Sequence, residues 1–116
     1  MPNQAAATAR AKQPELVSRL ARFFPHATPV RIPIKLSRTG GQTRSFVQET
    51  VIEYGTPHEV LFATDRPLEF ADRVLLENVD GSLCAEASVV AVQYHPERTV
   101  VAARFLQDVP NWIVKS

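Results

Sequence analysis

Cysteine is almost missing from this chain. Cys84 is the one thiol, so no intramolecular disulfide can form, and the composition suits a reducing cytosol. Glycine is also scarce, with four residues in all. Gly40-Gly41 stands between two strand-like segments rather than between a strand and a helix, which excludes a phosphate-cradling loop of the usual kind. No apolar run approaches the roughly 20 residues of a membrane-spanning helix. The small, polar stretch from Met1 to Gln13 lacks the apolar centre of a signal peptide. Neither sign of charge dominates: 13 basic residues face 12 acidic ones, for a net charge of +1. That balance gives no reason to expect non-specific binding to a nucleic-acid polymer or insertion into a membrane. There is no CxxC pair, and His26, His58 and His95 are scattered, each beside a proline. A metal site needs clustered ligands, so none is expected.

What is present suits one folded domain. The chain has 116 residues, 45% of them apolar, which is enough to bury about two-thirds of the unfolded surface and too apolar for wholesale disorder. Residues 1–12 read as a disordered leader and 13–116 as a single domain in the cytoplasm. Pro14-Glu15 suits the first turn of a helix. Leu16, Leu20 and Phe23 or Phe24 recur at helical spacing with Val17 alongside, which predicts an amphipathic helix over 14–24, stopped before Pro25. Its apolar face is expected to pack on the rest of the domain.

From Pro29 onward the period becomes two. Val30, Ile32, Ile34 and Leu36 share one face of a first strand, and Pro33, lacking an N–H, predicts an edge or irregular strand. A second strand over 45–54 places Phe46, Thr50, Ile52 and Tyr54 on one side and Val47 and Val51 on the other. Residues 58–63 form a third strand, 72–79 a fourth, 82–94 a fifth and 99–106 a sixth. In the fifth, Leu83, Ala85, Ala87 and Val89 alternate with Cys84, Glu86 and Ser88. Asp80-Gly81 predicts a two-residue hairpin with positive φ at both central positions. Pro110-Asn111-Trp112-Ile113-Val114 closes the chain as an aromatic plug. Six short strands at this spacing predict an all-β domain, a small antiparallel barrel or sandwich.

The residues offer little for catalysis. No serine stands in a nucleophile elbow, and Cys84 has no neighbour in sequence that would lower its pKa. Glu49 and Glu53 lie four apart on one strand face and read as a solvated pair. The chain is not expected to be an enzyme. The basic residues carry more: Arg19, Arg22, Arg31, Lys35, Arg38 and Arg44 fall among Phe23, Phe24 and His26. Arginine grips phosphates and stacks on bases, so this region is a candidate anion or nucleotide site.

Over about residues 22–115 the chain resembles the PilZ family. Arg31-Ile32-Pro33-Ile34 is similar to that family's approach to its first strand, and Phe46-x-x-Glu49-Thr50 to a second strand. Pro67-Leu68-Glu69-Phe70-Ala71-Asp72-Arg73-Val74 resembles its glycine-aspartate segment, with Ala71 in place of the glycine. Val101-Ala102-Ala103-Arg104-Phe105-Leu106 resembles its last barrel strand, with Ala102 where glycine is usual. Pro110-Asn111-Trp112 resembles an aromatic closing motif. The resemblance implies a small six-stranded antiparallel β-barrel with a short N-terminal helix. It also implies cyclic di-GMP as ligand, held by Arg-x-x-x-Arg before the first strand and by Asp/Asn-x-Ser-x-x-Gly between the second and third.

Both motifs are altered here. Arg22-Phe23-Phe24-Pro25-His26 keeps one arginine and ends in histidine, and the frame ending at Arg31 keeps only its second arginine. In Glu53-Tyr54-Gly55-Thr56-Pro57-His58, Gly55 replaces the serine and His58 the glycine. Losing two or three charge-assisted hydrogen bonds costs about 4–6 kcal/mol, or roughly a thousandfold in affinity. The expectation is therefore a PilZ-like bacterial signalling adaptor that acts through an unidentified protein partner or self-association, with weak or no cyclic di-GMP binding and no cofactor. It would present either the N-terminal helix or the strand edge near Pro33. An atypical cyclic di-GMP receptor is the alternative, using Arg22, His26, Arg31 and Glu53, with Arg44. A small-barrel oligonucleotide-binding module is the second alternative. It needs exposed aromatics on one strand face, whereas Phe46, Tyr54 and Phe62 read as core.

Overall fold

The structure is a computed structural model that describes residues 16–38, 46–109 and 112. The expected leader, the helix start at Pro14-Glu15, the Gly40-Gly41 turn, Arg44, and Pro110, Asn111, Ile113 and Val114 of the closing motif lie outside the described residues. A short helix, α1, covers 16–21. Six strands follow: β1 (Thr28–Arg38), β2 (Val47–Gly55), β3 (Glu59–Thr64), β4 (Arg73–Asn78), β5 (Cys84–Tyr94) and β6 (Thr99–Phe105). All pairings are antiparallel, and the strands close into a barrel in the order β1-β2-β3-β6-β5-β4.

The barrel has two apolar clusters, and β3 and β6 belong to both. Val60 and Phe62 point inward with Ile34, Leu36, Ile52, Val74, Leu76, Val101 and Ala103. Leu61 and Ala63 point outward with Val100 and Ala102, where Val17 and Leu20 of α1 cover them. Strands buried on both faces read as continuous apolar runs, which accounts for Val60-Leu61-Phe62-Ala63 and Val100-Val101-Ala102-Ala103. Val17 and Leu20 are buried, and such a side chain stabilises by about 1.5–3 kcal/mol. The apolar face of α1 is thus occupied by its own barrel. The helix ends at residue 21, short of the expected 24. Arg22, Phe23 and Phe24 instead donate their N–H groups to the carbonyls of Arg19, Leu20 and Ala21, three residues back. The three-residue bonds tighten the last turn and deliver the chain to Pro25.

Two strand bulges change the expected faces. Ile52 pairs with Phe62, but Tyr54 pairs with Leu61, so Glu53 is an extra residue in β2. A bulge reverses the alternation. Ile52 lies in the barrel interior, whereas Tyr54 packs outside against the α1 cluster. These two residues therefore do not share a side. Val90 plays the same part in β5, where Val89 pairs with Ala103 and Ala91 with Ala102. Leu83, Ala85, Ala87 and Val89 face the interior as expected, while Ala91 faces α1.

The first strand is irregular, as Pro33 predicts. It pairs with β2 through a shift between Pro29 and Ile32, and with β4 only from Ile34 onward. Its first half, from Thr28 to Pro33, has no β4 partner. The β4–β5 connection is a hairpin, but of another type than expected. Gly81 has φ 78° and Asp80 does not share a positive φ. Gly81 N–H donates to the Asn78 carbonyl at 3.3 Å, and Asn78 N–H to the Leu83 carbonyl at 2.9 Å. The loop is therefore longer than two residues, and one left-handed glycine suffices. Between β3 and β4, Leu68 is buried in the interior cluster and accepts a hydrogen bond at its carbonyl from the Tyr94 hydroxyl at 2.7 Å.

Candidate functional site

Strand register brings two loops together at one end of the barrel. Thr28, which opens β1, pairs with Gly55, which closes β2. The turn before β1 (Phe23 to Ala27) therefore lies beside the β2–β3 turn (Thr56 to His58). Between them is an open cleft of about 1190 Å³. Phe23, Phe24, Pro25 and His26 form one side, Pro57, His58, Glu59 and Arg104 another, and Asp108, Val109 and Trp112 border it from the segment after β6.

The β2–β3 turn is closed by its own hydrogen bonds. Thr56 N–H donates to the Glu59 carbonyl at 2.9 Å. The Thr56 hydroxyl accepts from His58 N–H at 3.1 Å and Glu59 N–H at 2.8 Å, and it donates to Glu59 Oε1. That fills the donor and both acceptor positions of the hydroxyl. The Thr56 carbonyl accepts from Trp112 Nε1 at 3.0 Å, and the His58 carbonyl from Phe105 N–H at 2.9 Å. Glu59 and Arg104 face each other in the β3–β6 register. Arg104 Nε and Nη2 donate to Glu59 Oε2 at 3.0 and 2.7 Å. Burial pushes the Glu59 carboxyl up, but hydrogen bonds from Thr56 and Arg104, with the charges of Arg104 and His58, outweigh it and leave it below the ordinary range.

Trp112 is buried and seals the turn from below. Its ring meets Phe105 edge to face, with centroids 5.4 Å apart and planes at 81°, a favoured aromatic geometry. The indole also lies directly on Gly55. The absence of a side chain at residue 55 is therefore a packing requirement of this chain.

The candidate ligand residues are only partly assembled. His26 is exposed and lines the cleft. Arg22 is exposed at the end of α1, and its neighbours Phe23 and Phe24 line the cleft instead. Arg31 is exposed on β1 and half-buried Glu53 sits in the β2 bulge; the β1 shift sets Val30 and Arg31 opposite Glu53. Burial raises the Glu53 carboxyl above its ordinary value, with Arg31 and Arg98 pulling in the other direction. Glu53 thus feels the positive charge of two arginines of its own chain. Arg44 lies outside the described residues.

A second charged cluster forms at the opposite ends of these strands. Arg38, buried, pairs with Asp72, and Asp72 Oδ2 also accepts from Glu69 N–H at 2.8 Å. The Arg38 and Arg66 guanidinium carbons lie 5.9 and 5.5 Å from the Phe46 ring centroid. Arg38, one of the basic residues expected to be available for an anion, is therefore held inside the protein. Among the described residues no group of three metal-ligating side chains forms, and no described helix is long and apolar enough to cross a membrane.

Sequence reasoning missed the Gly55–Trp112 contact, the Thr56 network and the Glu59–Arg104 pair. All three depend on which strands become neighbours, and no local pattern encodes that. No protein-family model matches the chain, and no curated protein is similar to it in sequence.

Proposed function

We propose that this chain is a PilZ-like bacterial signalling adaptor of the cytoplasm. It works through contacts with a protein partner and binds cyclic di-GMP weakly or not at all. The observation that carries this reading is the closed β2–β3 turn. Where the resemblance places a ligand-cradling serine, Gly55 lies under Trp112, and the Thr56 hydroxyl beside it is fully used within the turn. A guanine edge would have to displace bonds the protein already makes, and a buried polar group left unpaired costs about 1–3 kcal/mol.

Of the two surfaces expected to meet a partner, α1 buries its apolar face on the barrel. The free half of β1 carries Pro29 and Pro33, which offer no N–H to an added strand. This reading assigns the cleft to the partner, with Phe23 on its rim 73% exposed. The oligonucleotide reading loses support, because Phe62 is buried and Phe46 and Tyr54 are half-buried.

An atypical receptor remains the second reading, favoured by the position of His26 on the cleft. Calorimetric titration with cyclic di-GMP into the full chain separates the two. Absence of heat at high micromolar nucleotide is the expected result. Saturable heat that Arg31→Ala weakens tenfold would replace the adaptor with a receptor.

A further inference from the structure

We infer that the cleft between the pre-β1 turn and the β2–β3 turn binds an extended peptide segment that inserts an aromatic or aliphatic side chain beside a lysine or arginine. This rests on the adaptor reading and names the chemistry of its partner.

Size is the first argument. At about 1190 Å³, the cleft exceeds the roughly 300–1,000 Å³ usual for small-molecule sites. Surface chemistry is the second. Phe23, Phe24, Pro25, Pro57, Val109 and Trp112 make the lining predominantly apolar, with Phe23 at its edge. An exposed benzyl ring beside a cleft favours an apolar anchor, and ring faces attract cations.

Charge decides between partners. The charged lining side chains are Glu59, Arg104 and Asp108. Glu59 and Arg104 neutralise each other through two hydrogen bonds. Asp108 is exposed and has no ion-pair partner among the described residues. Apart from the two histidines, Asp108 is thus the one uncompensated charge among the described lining residues, which disfavours an anionic nucleotide and favours a cationic flank on the inserted side chain. The first half of β1 is poorly suited to add to this by strand pairing, since Pro29 and Pro33 each lack an N–H. Recognition therefore falls to side chains, and a short linear segment is sufficient.

The test is selection of a random twelve-residue phage-displayed peptide library on the immobilised full chain at moderate salt, with the selected peptide then synthesised and titrated. The expected consensus pairs an aromatic residue or leucine with an adjacent lysine or arginine. Phe23→Ser should weaken the synthetic peptide at least about tenfold. Asp108→Arg should weaken it about threefold to fivefold, as for an exposed ion pair, and selection on that variant should return glutamate or aspartate at the flank. Both positions are exposed, so both variants should melt with the wild type, and circular dichroism confirms their folding.

Absence of a consensus, an acidic consensus on the wild type, or binding indifferent to both substitutions would overturn the inference. So would a dimer by light scattering that Phe23→Ser dissociates, since the occupant would then be a second copy. Heat from cyclic di-GMP defeats the adaptor reading itself. Absence of both nucleotide binding and a peptide consensus defeats only this assignment of the cleft.

Discussion

A Cβ added to Gly55 would lie 2.2 Å from Cη2 of Trp112 and 2.6 Å from Cζ2. Those atoms belong to a rigid indole that is itself fixed by the Nε1 bond to Thr56 and by Phe105, so neither partner can give way cheaply. Gly55→Ala should cost about 1–3 kcal/mol, the usual range for overpacking, and Gly55→Ser no less. In a Trp112→Leu background the same substitution should cost much less, giving a coupling that a double-mutant cycle detects. Urea denaturation followed by circular dichroism measures all four variants. Additive effects would show that the indole does not rest on residue 55.

The Glu59 carboxyl titrates below its ordinary value of 4.5. A carboxyl depressed in the folded state stabilises the fold above its unfolded pKa, and that stability is lost as pH falls through the folded value. Glu59→Gln should therefore lower the unfolding free energy at pH 7 by about 1 kcal/mol, as for a partly exposed charge-assisted bond. The difference should shrink steadily below about pH 4.5 and vanish in stronger acid. Melting curves from pH 3 to 7 check it, and a difference independent of pH would exclude the carboxylate as its source.

The strands were readable from period-two alternation or from short apolar runs bounded by turn residues, and their observed limits differ from the expected ones by two residues at most. The faces were less readable. Glu53 and Val90 are ordinary strand residues by composition, yet each is an extra residue that reverses the alternation beyond it. Nothing local marks a bulge when both flanks are apolar. The candidate site was the least readable part. His26 was found because it follows a basic-aromatic run, but Gly55 looked like a lost serine until Trp112, far along the chain, was placed on top of it. Glu59 and Arg104 acquire meaning only once β3 and β6 are neighbours, a pairing set by closure of the barrel.

Glu53 should behave in the opposite sense to Glu59. Burial is the leading cause of its raised pKa, and the attraction of Arg31 and Arg98 does not offset it. A carboxyl raised in the folded state favours folding below its unfolded pKa, and that contribution is lost as pH rises through the folded value. Glu53→Gln should therefore leave stability at pH 7 unchanged or increase it, with the gain disappearing in acid. Thermal melts at pH 4, 5.5 and 7 suffice. A clear loss at pH 7 would mean that the two arginines hold Glu53 as a structural ion pair.

Ala71 is the one described non-glycine residue with positive φ, at 74°. Its conformation is locked from both sides. Ala71 N–H donates to the Val89 carbonyl at 2.8 Å, and Val89 N–H returns to the Asp72 carbonyl at 2.9 Å. Asp72 is in turn fixed by Glu69 N–H and Arg38. An L-residue in this region costs roughly 1–2 kcal/mol, whereas glycine there costs only its extra unfolded entropy, about 0.5–1 kcal/mol. Ala71→Gly should thus stabilise the domain by about 0.5 kcal/mol, a rise in melting temperature of about 2–4 °C at this size. Ala71→Val should do the reverse and lose more than it, because branching at Cβ adds to the clash with the backbone. Calorimetric melts of the three proteins rank them Gly above Ala above Val. An unchanged or lowered melting temperature for the glycine variant would show that the Val89 and Asp72 bonds do not hold residue 71 in the left-handed region in solution.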